Sequence, residues 1–187
     1  MRKTVHVTRD RILQATLRLI GEQGVGAVTN RAVARSAGVS LGSLTYHFPS
    51  QSDLLRESLR TFVDNEIARV TARAARLQGA DPEQAADEVE KAIVDFAQGP
   101  EQIASLELHL HSARDPAVRE AATRCVEAYD RLAAAILSAL GIPDPERRAP
   151  AVVAMLYGLA VRRLATGDTS ATGTAEALRL LLNGTHP

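Results

Sequence analysis

Residues 29–55, TNRAVARSAGVSLGSLTYHFPSQSDLL, read as two short helices and the start of a third, joined by tight turns. Thr29 is a candidate N-cap, and Val28 before it is placed to pack on Val33 as a hydrophobic staple. The apolar beat Ala32, Val33, Ala37 has helical spacing and stops at Gly38, a natural residue for a left-handed helix end. The pattern then repeats, with Ser40 as N-cap and Val39 stapling onto Leu44. Phe48-Pro49 closes the second helix, and Ser50 is a third N-cap. Helix, short glycine turn, helix is the helix-turn-helix arrangement, whose second helix lies in the major groove of DNA.

The second helix carries Leu41, Gly42, Ser43, Thr45, Tyr46 and His47, small, hydroxylated or aromatic residues with no acid among them. Gly42 costs about 1 kcal/mol against Ala inside a helix, which points to close approach of another body. Backbone N–H groups of the first turn and the Tyr46 and His47 side chains suit phosphate. The DNA-facing set is therefore Thr29, Arg31, Arg35, Ser40, Leu41, Gly42, Ser43, Thr45, Tyr46, His47 and Gln51. The plainer alternative is a helical hairpin with a small polar face.

With these residues in view, AVARSAGVSLGSLTYHFPSQSDLL resembles the DNA-binding segment of the TetR family of bacterial transcriptional regulators. The resemblance begins near Thr8, where RDRILQATLRLIGEQG is similar to the family's first helix, and runs to about Leu59. Beyond that, length and an all-helical pattern agree. It implies an all-α chain with an N-terminal helix-turn-helix domain, 1–50, and a helical ligand-binding and dimerisation domain, 51–187. The sequence departs from the family at three places. A Lys common after the recognition-helix cap is Leu41, another at the start of the fourth helix is Gln51, and an aromatic before Tyr46 is Thr45. With fewer cations, Thr29, Arg31, Tyr46, His47 and backbone amides carry more, while Leu41 and Thr45 are suited to thymine methyls.

A net charge of zero over 187 residues hides an asymmetry. Residues 1–60 hold nine Lys/Arg against four Asp/Glu, leaving thirteen against eighteen in the remainder. A basic head on an acidic body is expected where one part meets phosphate. The single cysteine, Cys125, excludes an internal disulfide and a Cys-cluster metal site. The N-terminus has no apolar signal core, and the nearly apolar run Ala149–Val161 is short for a bilayer span, so a soluble cytoplasmic protein is expected. Asn183-Gly184-Thr185 is then a chance sequon.

Nine helices are expected along the chain. The first starts after Thr8 and ends at Gly21 and Gly24, with Arg9 and Arg11 near the DNA flank or merely solvated. A long helix from Ser50 towards Leu77, stopped at Gly79, is the evident connection between head and body. Pro at the first helical turn opens the helices that follow, from Asp81-Pro82, Gly99-Pro100, Asp115-Pro116 and Pro143-Asp144-Pro145. The last helix covers about Thr174 to Leu182. The helix from Glu146 is apolar nearly all round, with a small-residue strip of Ala151, Ala154 and Gly158. The family resemblance makes it and the last helix half of a four-helix dimer interface, with Val152, Leu156, Leu159, Leu178, Leu181 and Leu182; an intrachain core is the alternative.

Other constellations fall away. Gly38-Val39-Ser40-Leu41-Gly42 satisfies G-x-S-x-G, but that elbow needs a strand before it and a parallel sheet beneath it. Glu107, His109 and His111 fail as a metal set, because residues two apart on a helix point apart; Glu107 and His111 are placed to pair. No catalytic residue, metal or cofactor is expected. The resemblance implies instead a small-molecule effector among the middle helices, for which Phe96, Leu106, His109, Leu110, Cys125, Tyr129, Met155 and Tyr157 are candidates. The sequence reading is thus a homodimeric repressor that leaves double-stranded operator DNA when an effector binds. An activator or ligand-independent regulator is the alternative, and an all-helical enzyme a remote one.

Overall fold

The computed structural model describes residues 2–76, 100–139, 141–167 and 177, and among these every regular element is helical. The elements are α1 (Arg2–Gln23), a 3-10 turn (Val25–Ala27), α2 (Asn30–Ala37), α3 (Leu41–His47), α4 (Gln51–Arg76), α5 (Pro100–His111), α6 (Pro116–Ala139) and α7 (Pro145–Thr166). The all-α expectation is met. The helices expected over 82–98 and 174–182, the stop at Gly79, and the candidates Phe96, Leu178, Leu181 and Leu182 lie outside the described residues.

Two boundaries of α1 differ from the sequence expectation. The helix starts at Arg2, so Thr8 is a mid-helix residue and no cap. Residues 2–7 contain neither Pro nor Gly, and nothing in them forces the chain out of the helix. Gly21 does not end α1 either; it sits inside the helix, and Gly24, at φ 85°, follows the last helical residue. Gly21 is small for a packing reason. A Cβ there would run into the backbone of Pro100, so the missing side chain lets the start of α5 lie against α1.

The chain forms two compact units that are discontinuous in sequence. One joins Met1–Glu66 to Gly99–Cys125, and the other joins Ile67–Gln98 to Val126–Pro187. The boundary between these units falls within α4 and α6. The first unit is built on Ile12, Leu13, Leu17 and Ile20 of α1, Val33 of α2, Leu44 of α3, Leu54, Leu55 and Leu59 of α4, Leu108 of α5 and Val118 of α6, all fully buried. At about 1.5–3 kcal/mol for each buried aliphatic side chain, this set makes α5 and the start of α6 part of the same cooperative core as the helix-turn-helix. Polar ties reinforce it. Glu107 Oε2 of α5 accepts the Val25 N–H at 2.6 Å, and Ser52 of α4 donates to Asp115 Oδ2 at 2.6 Å. Asp115 also caps α6, its Oδ1 accepting the N–H groups of Ala117 and Val118. So α4 has company: α5 also packs within the helix-turn-helix unit, through Glu107 and the Pro100 backbone against α1.

In the second unit Leu137 of α6 packs with Ala149 and Val152 of α7, flanked by Ala133, Ala134, Ile142 and Leu156. Tyr129 and Tyr157 meet edge to face, with ring centroids 6.1 Å apart. Both contacts keep one antiparallel register, as the short turn at 141–144 requires. Val152 thus belongs to the chain's own core. The exposed side of α7 carries Ala151, Ala154, Gly158, Val161 and Ala165, at alternating spacings of three and four. By length and composition alone this helix is apolar enough to cross a membrane, which narrows the expectation that no run is long enough; its Ala149 and Val152 are nonetheless covered by α6.

Candidate nucleic-acid interface

The helix-turn-helix is fixed by its caps. Thr29 Oγ1 accepts the Ala32 N–H at 3.2 Å and Ser40 Oγ accepts the Ser43 N–H at 3.1 Å. Ser50 both accepts the Asp53 N–H at 3.0 Å and donates to Asp53 Oδ2 at 2.7 Å. Gly38 closes α2 in the left-handed conformation, φ 63° and ψ 42°, with its N–H on the Ala34 and Arg35 carbonyls. Each cap is worth about 0.5–2 kcal/mol, so these three residues hold α2, α3 and the start of α4 in register.

Arginines expected at the DNA flank prove to be braces. Arg9 Nη2 lies 2.5 Å from Glu57 Oε2, and its guanidinium carbon stands 5.5 Å from the centroid of the Phe48 ring. It ties α1 to the end of α3 and to α4. Arg11 Nη2 donates to the Ala37 carbonyl at 2.7 Å, satisfying the C-terminal end of α2 where a cation is favoured. Gln51 is committed in a similar way, its amide Nε2 donating to the Val28 carbonyl at 2.8 Å. Sequence gave no sign of these three partners, because each lies 23 to 48 residues away in the chain.

The exposed side of α3 consists of Leu41, Gly42, Thr45 and Tyr46, at positions i, i+1, i+4 and i+5, opposite the buried Leu44. Tyr46 is 80% exposed, its ring edge-on to His47 at 5.4 Å. Ser43 and His47 are half-buried on the flanks. A Cβ on Gly42 would meet nothing within 4 Å, so no contact inside the protein explains this glycine. The Thr45 hydroxyl donates to the carbonyls of Leu41 and Gly42, both at 3.2 Å. Its proton is therefore spent within the helix, and what it offers outward is a methyl group and an acceptor. Arg31 and Arg35 are exposed and have no side-chain partner among the described residues. They stand as exposed cations beside an acid-free helix, which suits phosphate contact.

The effector candidates are spread over both units. In the first, Leu106 and His109 are half-buried and Cys125 is buried, while Leu110 is 73% exposed. His109 Nδ1 donates to the Ser105 carbonyl at 2.8 Å, and burial lowers its pKa against the opposing effect of that bond. Burial, helped by Asp64, pushes the Cys125 thiol up to about 12, as expected of a thiol packed in the core. In the second unit, Tyr129 is buried and Met155 and Tyr157 are half-buried. Glu107 and His111 do not pair with each other. Glu107 holds Val25, and His111 Nε2 lies 3.8 Å from Asp115 Oδ2. Among the described residues no three His, Cys, Asp or Glu side chains gather as a metal set.

Known proteins place this architecture. Residues 12–58 match the model of the bacterial regulatory proteins of the tetR family, and residues 80–184 match the Tetracyclin repressor-like C-terminal domain. The HTH-type transcriptional regulator CymR of Pseudomonas putida is 30% identical over 123 residues, 64% of this chain and 58% of CymR. BetI, an HTH-type transcriptional regulator of Pseudomonas aeruginosa, is 27% identical over 177 residues, 93% of this chain and 89% of BetI. The chain thus spans a little over half of one such relative and most of another. Among solved structures, the multidrug binding protein EbrR complexed with imidazole superposes with a TM-score of 0.71 at 32% identity, covering 93% of this chain and 94% of EbrR. EbrR is also similar in its complex with ethidium, with a TM-score of 0.71 at 30% identity, covering 93% and 97%.

Proposed function

This chain belongs to the TetR family of bacterial regulatory proteins, and from that premise we propose that it is a cytoplasmic, homodimeric repressor that leaves its operator when a small molecule binds the C-terminal helices. The observation that carries the DNA-binding half is the exposed, acid-free face Leu41, Gly42, Thr45 and Tyr46, flanked by Arg31 and Arg35, which are exposed and unpaired among the described residues. Tyr46 and Arg31 take phosphate; Leu41 and the Thr45 methyl meet thymine methyls, and Thr45 accepts one hydrogen bond. The partner protomer covers the strip Ala151, Ala154, Gly158, Val161 and Ala165, whose small side chains allow two α7 helices to approach closely. EbrR, a multidrug binding protein, supports the effector half by similarity. Effector binding changes the separation of two α3 helices from one turn of DNA, about 34–36 Å, through α4 and through α5 with its Glu107 tie to Val25.

Fluorescence anisotropy with DNA flanking the gene, with and without a metabolite and drug panel prescreened by thermal shift, tests this reading. Tight binding that Tyr46→Phe weakens on all sequences alike, and release by at least one panel compound, are expected. Binding that survives every compound would make the protein a ligand-independent regulator.

A further inference from the structure

We infer that the exposed face of α3 reads a C5-methylated cytosine: Gly42 leaves a notch that takes the methyl group, and the Thr45 hydroxyl oxygen accepts a proton of the adjoining N4 amino group. The inference deepens the DNA-binding reading and rests on it. Gly42, Thr45 and Tyr46 stand at i, i+3 and i+4, so they share one exposed strip, with Leu41 beside the glycine. Side chains on a helix lean over the turn that precedes them, so Thr45 and Tyr46 lean towards Gly42. Neither fills the space: a Cβ built on Gly42 meets nothing within 4 Å among the described residues. Its φ is not positive, so the backbone does not demand glycine here either. What the glycine leaves is a gap the size of the missing methyl, between Leu41 and the methyl of Thr45.

The major-groove edge of a pyrimidine presents two marks side by side. C5 carries a methyl group in thymine and 5-methylcytosine, and a hydrogen in uracil and cytosine. C4 carries an acceptor oxygen in thymine and a donor amino group in cytosine and 5-methylcytosine. An apolar notch favours the methylated pair, and Thr45 decides between its two members. The Thr45 hydroxyl donates to the Leu41 and Gly42 carbonyls, both at 3.2 Å, so outward its oxygen only accepts. Against thymine O4 it sets acceptor against acceptor; against the N4 amino group of 5-methylcytosine it meets a donor. No acid on α3 competes for that amino group, and the exposed Arg31 and Arg35 stand by for the phosphates. Methylation of one cytosine in each half-site therefore tightens the complex.

Binding-site selection with the full-length protein, followed by fluorescence anisotropy on the selected duplex with single bases replaced, tests the notch. At each pyrimidine of the half-site, cytosine is compared with 5-methylcytosine and uracil with thymine, so that only the methyl changes within a comparison. One position should gain about fourfold per half-site from the methyl, the worth of one buried carbon. At that position 5-methylcytosine should bind about threefold to tenfold tighter than thymine. Gly42→Ala should abolish the methyl gain at a Tm equal to or above that of the wild type, alanine being the better helix former. Thr45→Val, which loses only the acceptor, should keep the methyl gain and lose the preference for 5-methylcytosine over thymine. A methyl gain that survives in Gly42→Ala would overturn the inference, and so would a Tm that falls in that variant. Thymine bound as tightly as 5-methylcytosine by the wild type would overturn it too. A wild type that selects one sequence but ignores the methyl at every position leaves the DNA-binding reading standing and removes this one. A wild type that selects no sequence removes both.

Discussion

Gly21 shows how one residue can be read with the wrong sign. In a helix, Gly→Ala normally gains about 1 kcal/mol, and a sequence reader takes a glycine near a helix end for its stop. Here the missing Cβ is what admits the Pro100 backbone, which cannot swing aside as a side chain would. Gly21→Ala should therefore destabilise the protein by about 1–3 kcal/mol, the usual cost of overpacking, measured as a lower urea midpoint at unchanged slope. An unchanged or higher midpoint would show that α5 does not press on α1. His109 gives a second test at this scale. Burial lowers its folded pKa below the ordinary 6.5, so the folded state prefers the neutral ring. The unfolded chain then binds the proton first, and stability falls as pH drops below 6.5, levelling off only below the lowered folded value. His109→Gln should flatten that part of the stability–pH curve. An equal slope in the variant would assign it to another group.

Helices and their caps were legible because each cap is a local event. Thr29, Ser40 and Ser50 satisfy N–H groups three residues away, and Gly38 turns the chain by its own φ. The boundaries of α1 misled because Thr8 and Gly21 carry signals that are permissive, and only distant packing decides whether they act. The same distance hid the partners of Arg9 and Arg11, expected near the DNA flank or merely solvated, and of Gln51, expected to face DNA. Gly42 and Tyr46, both exposed on α3, were readable as an outward face. Between elements, Glu107 is the tie most open to test. Its carboxylate accepts the Val25 N–H in the turn that leads into α2. Glu107→Ala should speed hydrogen exchange at the Val25 amide by about five- to tenfold, the equivalent of about 1–1.4 kcal/mol, while the Ala32 and Ser43 amides at the caps keep their protection. Uniform acceleration across α1–α3 would mean that Glu107 supports the whole unit rather than this turn.

On the scale of the whole molecule, charge and symmetry make separate demands. The charge excess of residues 1–60 acts through salt, and each phosphate-bound cation lost lowers the slope of log K against log salt by about 0.9. In a dimer Arg31→Ala removes two, so a decrease near 1.8 is expected, equal for all DNA sequences; a decrease near 0.9 would mean that one half-site engages. Symmetry acts through α7, and here the division between buried and exposed residues makes a clean experiment available. Leu156 packs on the chain's own core, so a charge there damages the fold and the assembly together. Ala154 is exposed within the protomer. Ala154→Glu therefore places its carboxylate in solvent if the chain is alone, but opposite its own symmetry mate if two α7 strips meet. Two like charges desolvated across a two-fold axis have no donor to answer them. The variant should sediment as a monomer at micromolar concentration with unaltered helical content and Tm within the range of a surface substitution. Its DNA affinity should fall by at least about a hundredfold, because the second half-site then has to be reached by a separate protomer rather than a tethered one. A variant that stays dimeric would move the interface off this face of α7.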